Sequence, residues 1–289
     1  MTTSDASNRH SALDRLTANA PFLARLAELN PDDITRFLVD GTDAALALIV
    51  LPPAEDDIMR ALRQWRGRIA LLLALGDLSG EHEVATTTRL LSNFADQACD
   101  AALAAAFAER VPGEEARGLS VIALGKLGSN ELNYSSDIDP ILIFDPDTLP
   151  RRSRDDPGEA AVRIARRMTE ILSARTGDGH VLRVDLRLRP HPEVTPIVLP
   201  VDAAISYYES EALAWEQAAF IRSRASAGDR VLGEQFLSAI QPFIWRRSLD
   251  FRQLKEIGAM SDRIRDHFAQ GQAFGPGFDL KRGRGGIRE

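Results

Sequence analysis

The sequence predicts an α+β protein in which a small β-sheet lies between two helical regions. Over about the first hundred residues, apolar side chains recur at helical spacing and β-branched runs are scarce. From Leu119 the pattern changes to short, β-branched apolar runs, and after Pro200 helical spacing returns. The predicted regions are a helical lead-in over residues 1–115, an α/β core over residues 116–200 and a second helical region over residues 201–289.

Capping and turn signals place the predicted helices. Asn30 and Pro31 supply an N-cap and a proline at the first helical position. Asp156, Pro157 and Glu159 repeat this signal as a capping box. The helices are predicted over residues 31–40, 57–75, 82–110, 156–177, 201–209, 212–224, 231–242 and 251–268.

Three short apolar runs predict the strands of the sheet. They cover residues 120–124, 138–144 and 181–188. Pro140 lacks a backbone N–H, so the second strand is expected to begin there or to lie at an edge of the sheet.

Composition excludes several classes of protein. The 289 residues carry a formal net charge of −7, which disfavours a protein that coats nucleic acid. No apolar stretch approaches the ~20 residues that span a bilayer, and the polar start lacks a signal peptide. The single cysteine, Cys99, suits a reducing cytoplasm. The last nine residues, KRGRGGIRE, have no cap or polar tail, so we expect the chain to be a fragment.

Two aspartates form a candidate metal site. Asp137 and Asp139 are two residues apart on a predicted strand, so their side chains leave the same face, with Cα atoms about 7 Å apart. Two such carboxylates can converge on metal ions ~3.5–4 Å apart, as in phosphoryl-type transfer. With 42 acidic residues in the chain, an acid-x-acid pair also arises by chance, so the pair alone is a weak signal.

Asp185 is the third candidate carboxylate. In residues 181–189, VLRVDLRLR, the even positions are apolar and the odd positions place Asp185 among three arginines. Arginines beside a carboxylate fit a site for metal-bridged phosphates. The alternative is a solvated outer face on which Asp185 pairs with its arginines. The five histidines show no metal-ligand spacing, and His180 lies closest to this segment.

These motifs resemble a known family. Residues 125–139, GKLGSNELNYSSDID, followed by Asp185 within VDLRLRP, resemble the nucleotidyltransferase core of bacterial bifunctional glutamine synthetase adenylyltransferase/adenylyl-removing enzymes. That core is similar to the DNA polymerase β superfamily, which implies a small mixed β-sheet. The resemblance covers roughly residues 118–289. It continues through YYE at 207–209, WEQA at 215–218, AGD at 227–229, DLK at 279–281 and GGIRE at 285–289.

The resemblance implies the site and its chemistry. Asp137, Asp139 and Asp185 match the superfamily's metal-binding carboxylates, with Mg²⁺ as the implied ion. Gly128 and Ser129 match the loop that holds the phosphates. Nucleotide-binding roles are implied in the same way for the neighbouring positions Gly125, Lys126, Ser136 and Arg187.

The resemblance also implies a direction of reaction. Residues 242–250, PFIWRRSLD, look like the amino-terminal half of the family enzyme, which removes AMP from a tyrosine of adenylylated glutamine synthetase. Inorganic phosphate is the implied attacking group, ADP the product and a PII-type signalling protein a regulatory partner. The alternatives are the adding reaction from ATP and a non-catalytic regulatory module. The chain departs from the family at Pro140, usually leucine, and at Ala212-Leu213, often Gly-Arg.

Overall fold

The computed structural model describes residues 3–51 and 57–245, together with isolated positions between 255 and 278. The helix predicted over residues 251–268 falls almost wholly outside the described residues, and the motifs at 279–289 lie outside them. The described elements confirm an α+β fold with a small mixed sheet. No described helix is long and apolar enough to cross a membrane.

Six helices precede the sheet. They are α1 (Thr3–Asn19), α2 (Pro21–Leu29), α3 (Pro31–Asp40), α4 (Thr42–Leu46), α5 (Ile58–Ser79) and α6 (Val84–Arg110). The Asp57 side chain caps α5 by accepting a hydrogen bond from the Arg60 N–H at 3.0 Å. The predicted helices at 31–40, 57–75 and 82–110 are therefore confirmed, each to within a few residues.

The remaining elements alternate between short strands and helices. They are β1 (Leu119–Ala123), α7 (Gly125–Gly128), β2 (Pro140–Phe144), α8 (Pro157–Ser173), β3 (Leu199–Pro200), α9 (Val201–Ser210), α10 (Ala214–Phe220), β4 (Arg224–Gly228), α11 (Arg230–Ala239) and α12 (Gln241–Ile244). Asp156 caps α8, as predicted, by accepting a hydrogen bond from the Glu159 N–H at 3.0 Å. The helix ends at Ser173, four residues before the predicted glycine.

The sheet has the order β3-β2-β1-β4. β1 pairs antiparallel with β2 and with β4, and β2 pairs parallel with β3. β2 begins at Pro140, as the missing N–H predicts, and lies in the interior of the sheet.

Both faces of the sheet are covered, and β1 shows the alternation. Val121 and Ala123 belong to a large apolar core with α5, α6 and α8, whereas Ile122 and Leu124 belong to a smaller core with α9, α11 and α12. Every β1 residue is buried, which explains why the run is apolar throughout. The sheet therefore has one face toward the helical lead-in and one toward the later helices.

Two predictions of local structure were wrong. Residues 181–188 do not form a strand, because only an isolated parallel bridge joins Val184 to Ile138. The helix predicted over 212–224 ends at Phe220, and β4, which follows, was not predicted. β4 lies beyond residue 200 and joins the sheet. The region boundaries at residues 115 and 200 stay a prediction.

Candidate functional site

The candidate site is organised by the bridge between Ile138 and Val184. The Ile138 N–H donates to the Arg183 carbonyl at 2.9 Å, and the Asp185 N–H donates to the Ile138 carbonyl at 2.9 Å. In a parallel pair, the neighbours of a bridged residue leave the opposite face from it. The side chains of Asp137 and Asp139 therefore leave the same side of this bridge as those of Arg183 and Asp185.

Asp137 and Asp185 are each engaged by an arginine. The Arg183 Nε donates to Asp137 Oδ1, and the Arg183 Nη2 donates to the Ser135 carbonyl. The Arg187 Nε donates to both oxygens of Asp185, at 2.8 and 2.9 Å. Acidic and basic side chains therefore alternate on this surface. The pairing of Asp185 with Arg187 agrees with the alternative in which Asp185 pairs with its neighbouring arginines. It also keeps the carboxylates on one surface.

Asp139 lies beside the loop that follows β1. Its Oδ2 is 3.5 Å from the position that a β-carbon on residue 125 would occupy. Gly125 has φ +57°, a left-handed conformation that glycine adopts without strain. The Leu124 N–H donates to the Asp139 carbonyl at 3.3 Å. The start of the predicted phosphate loop and one of the predicted metal ligands are thus neighbours.

Electrostatic coupling joins the three carboxylates. The Arg187 guanidinium holds the pKa of Asp185 below its usual range, chiefly through their hydrogen bond. Asp185 raises the pKa of Arg187, and the negative charges of Asp139 and Asp137 add to this increase. The Arg187 charge therefore lies in the field of all three carboxylates.

The other predicted loop residues have local structural partners. A β-carbon on Gly128 would lie 1.7 Å from the Arg222 carbonyl oxygen, so only glycine fits there. The Ser129 hydroxyl donates to the Gly125 carbonyl at 3.0 Å, and the Ser136 hydroxyl donates to Asn133 Oδ1 at 2.6 Å. Lys126 is exposed. Their nucleotide-binding roles stay predictions.

The donor chemistry suits a magnesium ion, which prefers oxygen ligands and usually takes one or two carboxylates. Within the part of the chain that the structure describes, no three His, Cys, Asp or Glu side chains are grouped closely enough to hold a metal. Arg183 and Arg187 instead contact the carboxylates of Asp137 and Asp185. The side chains of these arginines are 51% and 83% exposed, so both can turn away from the carboxylates without disturbing the core.

Sequence reasoning missed a neighbouring basic side chain. Arg66, on α5, lines a cleft with Ser135, Ser136, His180 and Arg183, directly beside the Asp137 pair. The helical pattern of α5 does not indicate that Arg66 lies beside the candidate site, because α5 meets residues 132–136 only in the folded chain. The sequence indicates only that His180 is next to residues 181–189.

Comparisons with known proteins identify the family. The family model for glutamate-ammonia ligase adenylyltransferase matches residues 11–239. A bifunctional glutamine synthetase adenylyltransferase/adenylyl-removing enzyme of Xanthobacter autotrophicus is 40% identical over 95% of this chain and 30% of its own length. Relatives with the same description in Caulobacter vibrioides and Rhizobium meliloti are 42% and 43% identical over 94% and 86% of this chain.

These matches place the chain in a class of nucleotidyl-transferring enzymes. It belongs to the glutamate-ammonia ligase adenylyltransferase family. The resemblance found in the sequence is thereby confirmed. The chain spans about 30% of the length of the curated relatives that it matches.

Proposed function

We propose that this chain removes AMP from an adenylylated tyrosine of glutamine synthetase by phosphorolysis, with Asp137, Asp139 and Asp185 as ligands of Mg²⁺. The observation that carries the proposal is the bridge between Ile138 and Val184, because it puts all three carboxylates on one side of the chain. The relatives' description names both an adding and a removing activity. The resemblance of residues 242–250 to the removing half supports the direction.

The reaction requires one bond to form and one to break. An oxygen of inorganic phosphate forms a bond to the phosphorus of the AMP group, and the bond from that phosphorus to the tyrosine oxygen breaks. The tyrosine oxygen takes up a proton, and ADP leaves. Mg²⁺, when bound, supplies positive charge that stabilises the extra negative charge on the phosphoryl oxygens.

The side chains of the site position the reactants. Asp137, Asp139 and Asp185 would supply carboxylate oxygens to the ion. Arg183 and Arg187, which contact Asp137 and Asp185, each carry a guanidinium group that can also bind phosphate oxygens. Because Gly125 has no side chain, the space beside Asp139 Oδ2 is left open. The chain would thus act mainly by orientation and electrostatic stabilisation.

The remaining parts of the proposal concern partners and setting. Adenylylated glutamine synthetase is the proposed substrate, because the relatives' description names glutamine synthetase. A PII-type signalling protein as regulator is proposed from the family resemblance. A cytoplasmic setting is supported by the single cysteine, Cys99, which is fully buried and whose thiol pKa is raised by burial.

The test is phosphate-dependent release of ADP. The chain is incubated with adenylylated glutamine synthetase, Mg²⁺ and inorganic phosphate, and ADP is quantified. We expect release by the wild-type chain and its loss in Asp137→Asn and Asp139→Asn. The matched control is Asp147→Asn, which changes an exposed aspartate in the loop after β2 and should leave the rate unchanged.

Two other outcomes would replace the proposal. Transfer of AMP from ATP to unmodified glutamine synthetase, without phosphate-dependent release, would assign the adding reaction. Absence of both reactions, together with binding of a PII-type protein, would assign a regulatory module.

A further inference from the structure

A small basic cleft lies beside Asp137, between α5 and the two segments 132–136 and 180–183. Its volume is about 40 Å³. The described residues that line it include no carboxylate, and its polar lining consists of Arg66, Asn133, Tyr134, Ser135, Ser136, His180 and Arg183. Positive charge and hydroxyl groups without an acid are the features of a site for a small anion.

Arg66 is the residue of the basic cleft that needs an anion most. Burial lowers its pKa, and the charge of Arg183 lowers it further. Among the described residues, no carboxylate or carbonyl oxygen accepts a hydrogen bond from its guanidinium. A partly buried charge without a partner destabilises the folded state unless a ligand supplies the counter-charge.

Arg63, one turn earlier on the same helix, shows the contrast. It is almost fully buried, and its guanidinium donates to the carbonyl oxygens of Gly179, Met59 and Ala174. Those bonds tie α5 to the segment after α8, so Arg63 has a structural role. Arg66 has no such bonds within the described part of the chain, and its guanidinium is available to a ligand.

The surroundings of His180 show that the electrostatic potential in the basic cleft is positive. Its pKa is lowered first by burial and then by the charges of Arg66, Arg183, Arg175 and Arg63. No described residue forms a hydrogen bond with its ring nitrogens. Four guanidinium groups thus make this region strongly positive, and the imidazole remains able to contact a bound anion.

We propose that the basic cleft binds inorganic phosphate through Arg66, with Arg183 and His180 as further donors. The inference rests on the function proposed above, in which phosphate is the attacking group. The size of the cleft supports phosphate as the ligand. One water molecule needs about 10–15 Å³ of cavity volume, so the cleft of about 40 Å³ holds the equivalent of about three waters. That space suits a tetrahedral oxyanion, whereas a nucleotide needs several hundred Å³.

The position of the cleft suits an attacking group. Arg183 joins it to the carboxylates, because its Nε donates to Asp137 and its Nη2 to the Ser135 carbonyl. A guanidinium carries five N–H donors, and these two bonds leave three for a phosphate oxygen. Phosphate in the basic cleft therefore lies next to the proposed magnesium ligands and on the α5 side of them.

The experiment measures binding of inorganic phosphate to the intact chain, without glutamine synthetase, by isothermal titration calorimetry at constant ionic strength. Arg66→Met keeps the length of the side chain and removes the charge. Arg60→Met is the matched control, because Arg60 lies on the same helix with an exposed side chain outside the cleft. Thermal melts of all three proteins show whether they are folded.

We expect the Kd for phosphate to rise about 10-fold or more in Arg66→Met and to stay within about 2-fold in Arg60→Met. Equal affinity in the wild-type chain and Arg66→Met, or no phosphate binding by the folded wild-type chain, would overturn the inference. Arg66-dependent binding without ADP release from adenylylated glutamine synthetase would support the anion site and reject the removing reaction. The two proposals therefore fail separately.

Discussion

Two sets of Asp–Arg pairs in this chain have similar chemistry and different surroundings. In the first, which we call the α6–β4 seam, Asp96 and Asp100 of α6 pair with Arg224 and Arg230. In the second, at the candidate site, Asp137 and Asp185 pair with Arg183 and Arg187. The Asp96 and Arg224 side chains are 15% and 24% exposed, whereas those of Asp137 and Arg183 are 50% and 51% exposed.

The pKa directions separate the two sets. At the seam, burial raises the pKa of Asp96 in spite of the bonds from Arg224. At the site, the Arg187 bonds lower the pKa of Asp185 in spite of partial burial. Desolvation therefore has the larger effect on the aspartate pKa at the seam, whereas the bonds from the arginine have the larger effect at the candidate site. Pairs of the first kind hold elements together, and pairs of the second kind can be exchanged for a ligand.

The largest expected effect is on activity. Asp185→Asn should lower phosphate-dependent ADP release by about 100- to 1000-fold, because it removes a proposed ligand charge from the reacting centre. Its free energy of unfolding should change by less than about 1 kcal/mol, since the partner Arg187 is mostly exposed. Steady-state assays and urea unfolding measure the two quantities. A large loss of stability would show that the site pair is structural.

The next largest effect is on stability at the seam. Asp96→Ala leaves Arg224 partly buried without its carboxylate, which should cost about 3 kcal/mol of unfolding free energy. Urea unfolding measures this change. The control is Glu131→Ala, which breaks an exposed pair with Arg222 and should cost less than about 1 kcal/mol. Equal costs would remove the distinction between seam and surface.

Gly128→Ala tests whether the predicted phosphate loop is held by packing. The added methyl group would meet the Arg222 carbonyl oxygen just before β4, so we expect a loss of about 1–3 kcal/mol. Gly177→Ala adds a methyl group in open space and should change stability by less than about 0.5 kcal/mol. Thermal melts compare the two variants. An unchanged melting temperature in Gly128→Ala would contradict the close approach.

The smallest effect is a pH dependence at the seam. The folded-state pKa of Asp96 is raised, so the folded protein binds more protons than the unfolded chain from about pH 3.9 upward to that pKa. The free energy of unfolding should therefore decrease as pH rises through this window. Asp96→Asn should remove this decrease. Urea unfolding at several pH values gives the slopes, and identical slopes in both proteins would contradict the assignment.

The failed third strand shows how a local interaction overrides a sequence pattern. Residues 181–188 alternate as a strand should, but Asp185 Oδ1 accepts a hydrogen bond from the Arg187 N–H at 3.0 Å. This bond closes a turn between Asp185 and Arg187, and it competes with the backbone hydrogen bonds that a β-strand would form. Arg189 then donates to the carbonyl oxygens of Leu186, Pro192 and Pro196, which folds the segment into a loop. Alternation alone cannot reveal either interaction.

The missed strand β4 shows the converse. Its sequence, RASAG, has small residues and none of the β-branched or aromatic residues that signal a strand. Small residues are needed because a β-carbon on Gly228 would lie 2.4 Å from the Leu119 carbonyl oxygen. Packing against α6 and β1 therefore selects this strand, and its own composition does not.

The sequence by itself determined the α+β class, the helices α3, α5 and α8, the strands β1 and β2 and the family. Turn signals, periodicity and sequence motifs are local properties, although the predicted side-chain cap at Asn30 is not formed. The tertiary structure decided which arginine engages each carboxylate. It also brought Arg66 of α5 to the side of Asp137 and paired β4 with β1. The placement of Arg66 and the pairing of β4 with β1 join residues more than 60 positions apart. The free energy of all these contacts depends on burial and neighbouring charge, which local patterns do not encode.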